Sequence, residues 1–107
     1  MNDESRLIKK ALKGDRKAFE MIILRYQQPL INYLGRLTGE RETALDFAQD
    51  IFLKAYASLD SYRSSFKFST WLFRIASNHM MENCRVLAAL LSKETYVDRL
   101  RWCKPHD

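Results

Sequence analysis

The chain has 107 residues, 47% of them hydrophobic, enough for one domain around one core and too few for two. Eighteen Lys and Arg against 13 Asp and Glu leave a formal charge of +5, which favours a polyanionic partner without requiring one. Only three Gly and two Pro are present, and apolar residues recur at helical spacing, so a hairpin-rich fold is excluded and an all-α domain is predicted.

Residues 4–13, ESRLIKKALK, form a short amphipathic helix with Leu7, Ile8, Ala11 and Leu12 on one side, ended by Gly14. The opening residues put acids ahead of lysines with no apolar run behind them, so no secretory signal is expected. Asp15 then caps a second helix, RKAFEMIILRYQQ. The stripe Phe19, Ile22, Ile23, Tyr26, Leu30, Tyr33, Leu34 and Leu37 extends its period past Pro29. Proline removes an amide and crowds the preceding turn, so a kink or a restart is expected near Gln27 to Pro29.

Thr38-Gly39-Glu40 reads as a turn, and a third helix follows over residues 42–58. Its expected buried stripe is Leu45, Ala48, Ile51, Phe52, Ala55 and Leu59. Asp46, Gln49, Asp50, Leu53 and Ala57 share the opposite arc. By spacing alone this second stripe is compatible with ordinary solvated surface.

After a polar loop at residues 60–65, a fourth helix runs over 67–91, with Phe68, Trp71, Leu72, Ile75 and Val86 facing inward. Residues 61–81, SYRSSFKFSTWLFRIASNHMM, contain no Asp or Glu. Thr70, Arg74, Ser77, Asn78, Met81 and Arg85 lie opposite the core stripe, and the loop adds Tyr62, Arg63, Phe66 and Lys67. Aromatic faces on which bases stack, a basic track for the backbone and no carboxylate to repel phosphates are what a single-stranded nucleic acid needs. The alternative is that these aromatics are core and the lack of acids is chance.

Ser92 caps a last short helix, KETYVDRLRW, after which the chain frays. This divides the chain into a helical domain at 1–91 and a tail at 92–107, whose apolar positions either fold back on the bundle or pair with a second chain. Cys84 and Cys103 are too few for a disulfide framework, which fits a reducing compartment. Cys103 and His106 supply only half of a zinc ligand set, and His79 and Cys84 do not share a helical face, so neither a metal nor a cofactor is expected. No nucleophile triad or phosphate loop can be assembled, so an enzyme is not expected. No stretch approaches the roughly 18 apolar residues of a membrane span, and a cytoplasmic protein is expected.

GDRKAF, then ALDFAQDIFLKAY, then SLDSYRSSFKFSTWLFRIASN, in this order and separation, closely resemble region 2 of bacterial sigma factors of the extracytoplasmic-function (ECF) group. The resemblance runs from Leu7 to Arg85. It implies a compact bundle of about four helices, here with a short extra C-terminal helix. It implies that Asp46, Gln49, Asp50 and Leu53 dock on the clamp coiled coil of core RNA polymerase. It further implies that the loop and fourth helix recognise and melt the minus-ten promoter element, holding the non-template single strand. The matching contacts are Ser61, Tyr62, Arg63, Lys67, Ser69, Thr70, Arg74, Asn78 and Arg85. Phe68 and Leu72 support them from the core, and Trp71 stands between the two roles, with an edge placed to reach DNA.

An anti-sigma factor is typical of the group and is an expected partner. The sequence departs from the pattern after Asn78: Glu82 stands at an Asp-like position, Arg85 is alone where several basic residues are usual, and 87–91 is apolar. The family's second DNA-binding domain is not in this sequence, so the chain is either part of a longer protein or a region 2 whose partner supplies the rest. The competing reading is a small helical protein-interaction module that uses an apolar face, including Leu87, Leu90, Leu91 and Trp102, without DNA recognition of its own.

Overall fold

The computed structural model describes residues 3–90, with side chains to residue 84. Four helices follow in order: α1 (Asp3–Leu12), α2 (Arg16–Thr38), α3 (Arg41–Ala57) and α4 (Phe68–Leu90), with a single 3₁₀ turn, Leu59–Ser61, between the last two. The all-α expectation holds. The tail helix after Ser92, the apolar positions beyond Leu90, the Cys103/His106 pair and the side chains of Val86 and Arg85 lie outside the described residues.

Local chemistry sets most of the boundaries. Acids at Asp3 and Glu4 and lysines at Lys9 and Lys10 complement the dipole of α1. Gly14, at φ 101°, reverses the chain in a conformation that a Cβ would strain. The Asp15 carboxylate accepts from the Ala18 amide at 3.2 Å and caps α2 as predicted. Gly39, at φ 72°, ends α2, donating its N–H to the Gly35 carbonyl.

Of the kink or restart expected at Pro29, the restart does not occur. Pro29 lies inside a helix that continues without a break to Thr38. Pro29 faces solvent, while Leu30, Ile31 and Leu34 just beyond it are buried and hold the second half of the helix on the core. Burial of those side chains outweighs the lost hydrogen bond.

The core joins all four helices: Leu7, Ile8 and Ala11 of α1; Phe19, Ile22, Leu30 and Leu34 of α2; Ala44, Ala48, Ile51 and Ala55 of α3; Phe68, Leu72, Ala76 and Met80 of α4. The buried stripe of α3 is built largely on alanine, at Ala44, Ala48 and Ala55 around Ile51. Leu45, expected inside, is 39% exposed, and Phe52 is half-buried at the margin. The stripe starts one residue earlier than predicted, at Ala44.

α1 is held to α2 by polar contacts as well. Arg25 pairs with Asp3 at 2.6 Å, and the Tyr26 hydroxyl donates to the Glu4 carboxylate. Burial, then the Glu4 contact, push the Tyr26 phenol well above its usual value, so it stays a donor at any physiological pH. Among the described residues no helix is long and apolar enough to cross a membrane.

Candidate nucleic-acid and protein interfaces

The outer side of α3 and the loop leading into α4 carry the residues singled out from the sequence. At 100° per residue, Gln49, Leu53, Asp46 and Asp50 spread in that angular order across one face of α3. All four are exposed, Leu53 by 65%. The arc has two margins. On one, Gln49 and Leu53 join Phe52 and Tyr56 and meet Phe19, Ile23, Leu24 and Gln27 of α2 across an open groove of about 420 Å³. On the other, Asp50 turns toward α4, where its Oδ2 lies 3.8 Å from Nε2 of His79.

Sequence periodicity missed the α2 side of this groove. Leu24 on that wall is 68% exposed, Tyr56 of α3 across it is 43% exposed, and Met21, outside the groove, is 52% exposed. Leu24 and Met21 fall between the positions of the buried stripe of α2. Apolar residues off the core period were the available signal. Tyr56 also packs its ring on Phe19 at 5.0 Å, which fixes one wall of the groove.

The second surface is built by the turn after α3. Leu59 is buried and pins the 3₁₀ turn, and the Ser61 hydroxyl donates to the Ser58 carbonyl at 2.6 Å. Tyr62, expected to touch a ligand, is instead buried. Its ring meets Phe68 at 5.6 Å and Trp71 at 5.4 Å, and its hydroxyl donates to the Phe66 carbonyl. An aromatic side chain that fills the core while its hydroxyl satisfies a loop carbonyl acts as a clamp on the loop. Burial first, then the Glu4 charge, raise its phenol above the ordinary value.

With the loop held this way, Ser61, Arg63, Phe66, Thr70, Trp71 and Arg74 surround a cavity of about 150 Å³. A cavity of about that size accommodates one six-membered aromatic ring. Phe66 is 55% exposed, a flat ring at the mouth. Arg63 donates to the Asp60 carbonyl at 3.3 Å and is otherwise exposed. Lys67 and Asn78 are exposed, and Ser69 is half-buried. Trp71 is also half-buried, with its ring 5.4 Å from Phe68, so one part packs while another lines the cavity. The contact expected of Arg85 lies outside the described side chains.

Just beyond this surface, Glu82 pairs with Lys54 of α3 at 3.0 Å, so the acid that departs from the expected pattern ties α4 to α3. Among the described residues no group of His, Cys, Asp and Glu is placed to hold a metal ion.

A family model described as sigma-70 region 2 matches residues 22–88, more than half of the chain. The chain belongs to the sigma-70 region 2 family. Similar proteins include the RNA polymerase sigma-H factor of Pseudomonas aeruginosa, 36% identical over 75 residues, which are 70% of this chain and 39% of that protein. They also include the ECF RNA polymerase sigma-E factor of Escherichia coli, 40% identical over 72 residues, which are 67% of this chain and 37% of that protein. The chain thus spans under two fifths of the length of these relatives. An engineered region 2 of sigmaE, solved by NMR in complex with GTAAAA, superposes with a TM-score of 0.75 at 34% identity, covering 86% of this chain and 99% of that one. The family match includes both surfaces described above and stops before the tail.

Proposed function

We propose that this region 2 domain works in transcription initiation, binding core RNA polymerase through α3 and the minus-ten promoter element through the loop and α4. The observation that carries the DNA half is the ring-sized cavity inside an acid-free segment, with Arg63, Phe66 and Arg74 around it. A strand entering there meets cations for its phosphates, an exposed ring for stacking and a cavity that takes one splayed base. That an engineered sigmaE region 2 was solved in complex with GTAAAA supports DNA binding by a domain of this kind.

Polymerase docking rests on Asp46, Gln49, Asp50 and Leu53, with the clamp coiled coil as the partner that the family resemblance implies. Two carboxylates, an amide and an exposed leucine on one turn-spaced face suit a basic, amphipathic helical partner. An anti-sigma factor is a second protein partner on this reading, as is usual in the ECF group. The domain performs no catalysis and acts in the cytoplasm, where its polymerase is.

The α2–α3 groove, with Leu24 and Leu53 exposed on its walls, favours one further reading, a pure protein-interaction module. The two are separated by capturing core polymerase on the immobilised domain and by titrating it with single-stranded and duplex minus-ten DNA at several salt concentrations. The proposal expects capture, a preference for the single strand and an affinity that falls steeply with salt. Capture of polymerase with no measurable DNA affinity at low salt, alone or in the complex, would favour the interaction module.

A further inference from the structure

Among the described residues, His79 is the one buried titratable side chain on α4 that neither proposed surface uses. It is 6% exposed and packed edge-on against the Phe47 ring at 5.5 Å. Its neighbours match one neutral tautomer. The Asn83 amide nitrogen donates to the His79 carbonyl at 2.9 Å, and a carbonyl can only accept, so that nitrogen is the NH₂ group. The same NH₂ faces His79 Nε2 at 3.2 Å, a contact that the neutral tautomer with its proton on Nδ1 satisfies, with Nε2 as acceptor. Nδ1 is buried and meets no hydrogen-bond partner. In that tautomer the ring holds its proton on the nitrogen without a partner, while Nε2 points at the 58%-exposed carboxylate of Asp50, 3.8 Å away.

Resting on the assignment of Asp50 to polymerase docking, we infer that His79 is a positioning residue for that carboxylate. Neutral His79 leaves Asp50 free to meet the polymerase, and protonated His79 draws it back against α4. A proton added at Nε2 opposes the Asn83 NH₂ and creates a donor aimed at Asp50 Oδ2. The 3.8 Å gap, too long for a hydrogen bond now, closes by a side-chain rotation of an exposed residue. The charged groups around the ring are Lys54 and Asp50 from α3 and Glu82 from α4. Burial and Lys54 lower the imidazole's proton affinity, and Asp50 and Glu82 raise it. The docking face thereby acquires a dependence on mildly acidic pH that residues on its exposed arc lack.

Two measurements on the full chain test this. An NMR titration of the His79 ring is expected to move to lower pH in Asp50→Asn, because an opposing charge is removed while the fold is kept. An unchanged titration overturns the inference, whatever the polymerase result. Core-polymerase affinity is then followed between about pH 5.5 and about pH 8 for the parent, His79→Gln and Asp50→Arg. The parent is expected to lose affinity several-fold more toward the acid end than His79→Gln does, with the two equal at the alkaline end. Equal slopes across the whole range overturn the inference. If Asp50→Arg binds polymerase as well as the parent, the docking assignment itself has failed, a different result from equal slopes in parent and His79→Gln.

Discussion

At the scale of single residues, the two surfaces separate by how their side chains are held. Asp50 is exposed and makes no close hydrogen bond, so replacing it with Arg removes little from the fold, about 0.5 kcal/mol or less. The expected outcome is an unchanged melting temperature within a few degrees and a loss of core-polymerase capture in the same preparation. Unaltered capture by folded Asp50→Arg removes Asp50 from the interface. On the proposed DNA side, Arg74 is an exposed cation lining the cavity, and Lys67 is an exposed cation immediately before α4. Lys67→Ala and Arg74→Ala should each weaken single-strand binding and reduce the slope of log affinity against log salt by about 0.7, the value for one lost phosphate contact. A residue whose replacement leaves the slope intact does not touch the backbone. Tyr62 belongs to neither class. Its burial against Phe68 and Trp71 makes it a support for the loop, although its place in the sequence beside Arg63 grouped it with the contacts.

At the scale of the elements, helix starts and stops were legible because their causes are local. Asp15 capping α2, and Gly14 and Gly39 at positive φ, each act within a few residues of the boundary they set. Pro29 shows the limit. Locally it opposes the helix, and the helix does not restart there because buried Leu30 and Leu34 belong to a core assembled from other elements. The proline therefore sits in a helix interior at a cost. Pro29→Ala, at a solvent-facing position, should stabilise the domain by about 1 to 3 kcal/mol, read as a raised midpoint in thermal or denaturant unfolding. A neutral or destabilising result would mean that the Pro29 ring makes contacts that offset the missing hydrogen bond. Leu45 illustrates a related limit. Its hydrophobicity suggested burial, but Ala44, one residue earlier, takes the inward position and is fully buried.

For the molecule as a whole, buried His79 couples the α3–α4 contact to pH. Burial and then Lys54 hold its imidazole below the ordinary 6.5 in the folded state. On acidification the unfolded chain takes up this proton first. The stability contributed by the neutral ring is complete above about pH 6.5 and is lost as the pH falls through the folded-state value. Thermal unfolding of the parent should therefore show a fall in midpoint on the acid side of that pH. His79→Gln, which has no proton to gain, should flatten that limb. Parallel limbs in parent and variant would show that carboxylates alone cause the acid instability.

Helix number, the caps, the acid-free segment and the likeness to region 2 were all present in the order of residues, because each depends on neighbours a few positions away or on a string of residue types. Which residues end up next to which was decided only by packing. Leu24 of α2 and Leu53 of α3 wall one groove, although nothing in either helix names the other. Ser61 and Arg63 enclose a cavity with Arg74 only after Tyr62 is buried and the loop is folded over α4. His79 meets Asp50 across 29 positions of sequence, since α3 and α4 pack in one particular register. Periodicity assigns a residue to a face of its own helix, and the choice of partner face is made where several stripes compete to be buried together.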